Sequence, residues 1–89
     1  MANLINLTLL GRGDRAIIRK FDLLALQNKV GFQDLEVRLL ELGIVEGAQI
    51  KIMHCSFLFG PLAFRINNSS NMIALRRKEA QAILVRKIA

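Results

Sequence analysis

Apolar side chains recur at every second position in several short stretches of this chain. In Ala48-Gln49-Ile50-Lys51-Ile52-Met53-His54, Ile50 and Ile52 fall on one side of an extended backbone and Lys51 on the other. That alternation is the mark of a half-buried strand. Residues 61–67 repeat it with Leu62, Phe64 and Ile66. Residues 71–76 read as a further strand. The turn cluster Asn68-Ser69-Ser70 between them predicts a hairpin. Residues 15–21, β-branched in the centre and charged at the edges, form another strand, and residues 83–88 close the chain as one more.

The period changes over residues 34–42. Leu35, Leu39 and Leu42 are spaced by four and three, which puts them on one face of a helix. Asp34 is placed to accept from the free N–H groups of the first turn, and Gly43 stands where a left-handed C-terminal residue is commonly needed. Arg77–Ala82 reads as one helical turn or slightly more. Residues 22–32 stay ambiguous: Leu23, Leu24 and Leu26 could start a short helix ended by Gly31. Gly11-Arg12-Gly13-Asp14 is a turn signal. Short strands bounded by turns predict a small barrel, because closure removes sheet edges.

The chain has 89 residues, 53% of them hydrophobic. That predicts one domain, residues 1–89, with a real core rather than disorder. No apolar run reaches the roughly 20 residues of a spanning helix. Met1–Asn6 lacks the basic start and apolar block of a secretory signal. The expectation is a cytoplasmic protein with no direct insertion into membrane.

Charge adds a clue. The formal net charge is +6, with a balance of +1 in residues 1–45 and +5 in residues 46–89. A basic C-terminal half suggests an anionic partner. Arg76-Arg77-Lys78 is its densest run. The bland reading is a solvated face; the functional one is a docking patch for an acidic surface. Phe57, Leu58 and Phe59 sit beside Gly60-Pro61-Leu62 in an expected loop. Three consecutive bulky apolar residues cannot all face inward, so part of this loop is expected at the surface.

Chemistry is scarce. Cys55 is the single cysteine and His54 the single histidine. A tetrahedral metal site needs about four ligands, and neighbours on a strand point to opposite faces. No cofactor or resident metal is expected. Gly11-x-Gly13 lacks the Gly-Lys-Ser/Thr ending of a phosphate loop. With one His there is no Ser/His/Asp set. The carboxylates fall mostly in turns or on outward helix faces. The reading is therefore a binding module and not an enzyme.

Arg38-Leu39-Leu40-Glu41-Leu42-Gly43-Ile44-Val45-Glu46-Gly47 is similar to the RL-x-x-LG-[IL]-x-x-G segment of FeoA proteins. Ile50-Lys51-Ile52, Gly60-Pro61-Leu62, Met72–Arg77, Glu79-Ala80, and Ile83 with Val85 continue the resemblance in order, and Gly13 with Ala16 and Ile17 resembles the family's opening. The likeness spans about residues 7–88. It departs from the family in a longer segment from Phe21 to Asp34 and in Glu46, where many members have Pro. The resemblance implies a mainly β, SH3-like barrel of about five strands with one or two short helices. It also implies a role in ferrous-iron uptake beside FeoB, a membrane transporter with a cytosolic GTPase domain. On that reading Phe57, Leu58, Phe59, Leu62, Arg76, Arg77 and Lys78 would meet the partner. Two alternatives stay open: a small basic nucleic-acid-binding barrel, disfavoured by the absence of Tyr and Trp, and a metal carrier or regulatory module using Cys55 and His54. Oligomeric state is not readable.

Overall fold

The computed structural model describes residues 3–22, 32–55 and 60–88. Six strands form one antiparallel sheet: β1 (Ile5–Asn6), β2 (Arg15–Phe21), β3 (Gln49–Cys55), β4 (Leu62–Ile66), β5 (Met72–Leu75) and β6 (Ile83–Lys87). Their order across the sheet is β1-β6-β2-β3-β4-β5. A 3-10 turn, Leu7–Leu9, follows β1; helix α1 (Phe32–Glu41) lies between β2 and β3, and α2 (Arg77–Ala80) between β5 and β6. The sequence predicted no element before Arg15. The two-residue β1 is too short to show a period, and its place is fixed by pairing Ile5 with Val85.

The alternation expected in β3 and β4 holds, and β2 and β6 show the same inward pattern. Ala16 and Ile18 of β2, Ile50 and Ile52 of β3, Leu62, Phe64 and Ile66 of β4, and Ile83 and Val85 of β6 are buried. They belong to one cluster with Leu7, Leu39, Ile44 and Leu75. Burying such side chains contributes about 1.5–3 kcal/mol each, which is what holds so small a sheet together. The predicted hairpin forms, with β4 pairing β5 from Leu62↔Leu75 to Arg65↔Met72. Its turn centres on Asn67 and Asn68, both at positive φ, with Ser69 N–H donating to the Ile66 carbonyl at 2.9 Å. The Arg65↔Met72 register leaves residues 67–71 between the strands, so the connection is longer than a two-residue turn, with its left-handed pair at the start of the Asn-Ser-Ser cluster.

Helix α1 begins at Phe32, so Asp34 lies inside its first turn and does not precede it. Neither Phe32 nor Gln33 is a helix breaker, and the backbone extends back through both. The end is as expected. Gly43 has φ +84°, its N–H donates to the Leu40 carbonyl at 3.0 Å, and Ile44 N–H donates to the Leu39 carbonyl at 2.9 Å. This pair of bonds is the Schellman closure, with Leu39 and Ile44 both buried. Leu42, expected on the buried stripe, is exposed just past the last helical residue. The Asp34 and Leu35 side chains, and the ambiguous segment 23–31, lie outside the described residues.

Candidate partner-binding surface

Two contacts tie α1 and the 3-10 turn to α2. Arg38 of α1 donates from Nη1 to Glu79 Oε2 of α2 at 2.6 Å. Arg77 of α2 donates from Nη1 to the Thr8 carbonyl of the 3-10 turn at 3.4 Å. Glu79 Oε1 also accepts from the Arg76 backbone N–H at 3.0 Å, holding the start of α2. Glu79 is thus the pin of this arrangement, serving the helix start with one oxygen and α1 with the other.

Arg76 and Lys78 are exposed at the start of α2. Arg77, expected to share their role, is half-buried and reaches back to Thr8, so it braces the surface from beneath. Leu62, expected in the contact loop, is completely buried on β4 opposite Leu75. Its side chain belongs to the core, because the strand begins at Leu62 and the alternation puts 62, 64 and 66 together. That corrects its assignment to the contact surface. Phe57, Leu58 and Phe59 lie outside the described residues.

These elements also carry exposed apolar side chains that the sequence reading passed over. Leu9 on the 3-10 turn is 71% exposed, Val37 is 53% exposed and Leu40 is 58% exposed. Val37 and Leu40 are three apart on α1 and therefore neighbours on one helix face. The signal was present: both fall off the Leu35/Leu39/Leu42 stripe. A helix apolar on more than one side either is buried all round or offers a second face. Leu9 carried no such signal, since a 3-10 turn shows no readable period. Leu9, Val37 and Leu40 are thus exposed on two elements, the 3-10 turn and α1, that Arg77–Thr8 and Arg38–Glu79 tie to α2, whose start carries the exposed Arg76 and Lys78.

His54 and Cys55 part as expected. His54 is exposed, while Cys55 is half-buried against the core. A register shift lies between Ile52 and His54, which then pairs with Ala63, and Cys55 with Leu62. Among the described residues no three His, Cys, Asp or Glu side chains gather in a way that could hold a metal ion. Nor is any helix among them long and apolar enough to cross a membrane.

A second carboxylate with defined partners is Asp14. Its Oδ2 accepts from Gly11 N–H at 2.7 Å and its Oδ1 lies 3.5 Å from Lys87 Nζ. The backbone hydrogen bond chiefly, with Lys87 beside it, holds the carboxyl below the usual range against a smaller opposing effect of desolvation. This is a structural role. It clamps the Gly11–Asp14 turn, where Gly13 takes φ +89° and donates to the Ile52 carbonyl at 2.8 Å.

Comparison with known proteins agrees with this architecture. The FeoA domain description matches residues 5–87. An iron uptake regulatory protein, FeoA, is 21% identical with a TM-score of 0.75, over 97% of this chain and 100% of that one. FeoA from Chlorobium tepidum is 28% identical with a TM-score of 0.73, over 96% of this chain and 71% of that one. The zinc-complexed FeoA of Stenotrophomonas maltophilia, an SH3 domain protein, is 22% identical with a TM-score of 0.69, over 91% and 88% of the two chains. A search of curated proteins finds no match. The matched domain covers every strand described above, and the mainly β, SH3-like fold is shared, so this chain belongs to the FeoA domain family.

Proposed function

We propose that this chain is a cytoplasmic accessory protein of ferrous-iron uptake that docks on the cytosolic GTPase domain of a FeoB-type transporter. The observation that carries the reading is the exposure of Leu9, Val37 and Leu40 on elements tied to α2, with Arg76 and Lys78 exposed at its start, in a member of the FeoA family. Exposed apolar side chains supply contact energy once water is excluded. The flanking cations steer approach to an acidic partner and raise the association rate. The effect on the transporter would be on assembly or nucleotide turnover, exerted through contact alone.

The test is binding of the full chain to the purified cytosolic domain of the FeoB transporter from the same cell, by interferometry, with and without a non-hydrolysable nucleotide. Micromolar binding is expected in at least one nucleotide state. Leu40→Ser is expected to weaken it by about tenfold, the equivalent of about 1.4 kcal/mol. No binding in either state, or binding indifferent to Leu40→Ser and to Arg76→Ala, overturns the reading.

A further inference from the structure

The outer face of the sheet carries a row of like charges that the sequence hides. Arg15 on β2 pairs directly with Lys51 on β3, and Lys51 pairs directly with Arg65 on β4. These residues are 36 and 14 positions apart along the chain and form no charge run. All three side chains are exposed. None is in an ion pair with a carboxylate among the described residues, where the ion pairs are Arg38–Glu79 and Lys87–Asp14. Like charges placed directly opposite each other on neighbouring strands destabilise a sheet. Three such cations in a line, with no carboxylate between them, leave a deficit that an anion would remove.

The surface there is concave. A cleft of about 270 Å³ is lined by Arg15, Gln49, Ile50, Lys51, Arg65 and Asn68. Its floor is fixed. Asn67 Oδ1 accepts from Gln49 N–H at 2.9 Å, and Asn67 N–H donates to the Gln49 carbonyl at 2.8 Å. Those two bonds lock the left-handed Asn67-Asn68 turn onto β3, which sets Asn68 at the rim. Two guanidinium forks flank one ammonium, and the Gln49 and Asn68 amides add neutral donors.

We propose that this cleft binds a small polyphosphate-class anion, with the row Arg15–Lys51–Arg65 neutralising it. Three neighbouring strands span roughly 10 Å, which a short chain of phosphate groups can follow. Guanidinium groups match phosphate oxygens two at a time, and a lysine serves between them as a point charge. Other polyanions fit less well. Single-stranded nucleic acid needs aromatic platforms, and the cleft lining holds none. A protein partner needs about 800 Å² of its own surface, more than a cleft this size presents. The site lies on the sheet face and does not use the Leu9, Val37 and Leu40 surface, so it stands or falls independently of the transporter reading.

Calorimetric titration of the full chain with sodium tripolyphosphate at low ionic strength tests it. One-to-one binding is expected, weakened about tenfold by Lys51→Gln and by Arg65→Gln, about 1.4 kcal/mol each. Lys78→Gln, on another surface, is expected to stay within about twofold. Inorganic orthophosphate is expected to bind more weakly than tripolyphosphate, because it meets fewer of the three cations at once. Melting curves of each variant confirm that the exposed substitutions keep the fold. No saturable binding at millimolar tripolyphosphate overturns the proposal, as does equal weakening by Lys78→Gln. Binding of an oligonucleotide or of phosphatidylglycerol vesicles that depends on Lys51, with no binding of tripolyphosphate, also overturns it.

Discussion

Arg38 Nη1 and Glu79 Oε2 meet at 2.6 Å although 41 residues separate them in the chain. This contact ties α1 to α2 and sets the border of the proposed docking surface. The two partners contribute unequally. The Arg38 side chain is 53% exposed, so its ion pair is screened by water, whereas Glu79 is 16% exposed and also holds the Arg76 N–H. Glu79→Ala is therefore expected to lower stability by about 1 kcal/mol, the usual scale for losing a helix-start acceptor. Arg38→Ala is expected to cost no more than about 0.5 kcal/mol. For a domain this size, about 1 kcal/mol moves the melting temperature by roughly 4–8 °C. Equal effects of the two substitutions would show that the capping bond contributes nothing.

Leu62 and Leu40 separate core from surface. Leu62→Ala removes fully buried atoms and is expected to cost about 2–5 kcal/mol. That is a large part of the 5–15 kcal/mol typical of a folded domain. Leu40→Ala, on an exposed helical face, is expected to stay within about 0.5 kcal/mol. Urea denaturation of both variants checks this. A Leu62→Ala protein as stable as the parent would return Leu62 to the surface.

Gly43 closes α1 with a left-handed backbone, and a Cβ placed there would meet nothing within 4 Å. The penalty for Gly43→Ala is therefore conformational and not steric, about 1–2 kcal/mol. Gly43→Asn is expected to cost less, since Asn tolerates that conformation. The measurement is the denaturation midpoint at unchanged slope. An Ala variant with the parent's midpoint would mean that the helix ends some other way.

Asp14 predicts a pH dependence. Its folded pKa is below the ordinary carboxylate value, so the unfolded chain holds the proton more tightly. The stabilisation is fully present above the unfolded pKa of about 4. It is lost as pH falls from there through the lower folded value. Melting temperatures of the parent and of Asp14→Asn should differ at pH 6 and converge as pH drops below about 4. A difference that stays constant down to pH 2 would remove the Gly11 and Lys87 contacts as its source.

Much of the fold was legible because alternation and helical spacing are local. Ile50 and Ile52, Leu62, Phe64 and Ile66, and Ile83 and Val85 announced their strands without reference to any other residue. Gly43 marked the end of α1, because only a residue free of a Cβ enters that backbone region without strain. The family, too, was readable from the order and spacing of these same positions.

The proposed surfaces are not local, and that is why they escaped. A run such as Arg76-Arg77-Lys78 looks like one patch, yet packing turns Arg77 inward to Thr8 and leaves its neighbours outside. Leu62 stood both in the alternating strand and beside the expected contact loop, and its full burial opposite Leu75 puts its side chain in the core. The exposure of Leu9 shows no period along the chain, because a 3-10 turn carries none. The row Arg15–Lys51–Arg65 exists solely in the register of three strands. Periodicity settles which side of its own element a residue takes; strand register and the docking of helix ends settle which distant residues it faces.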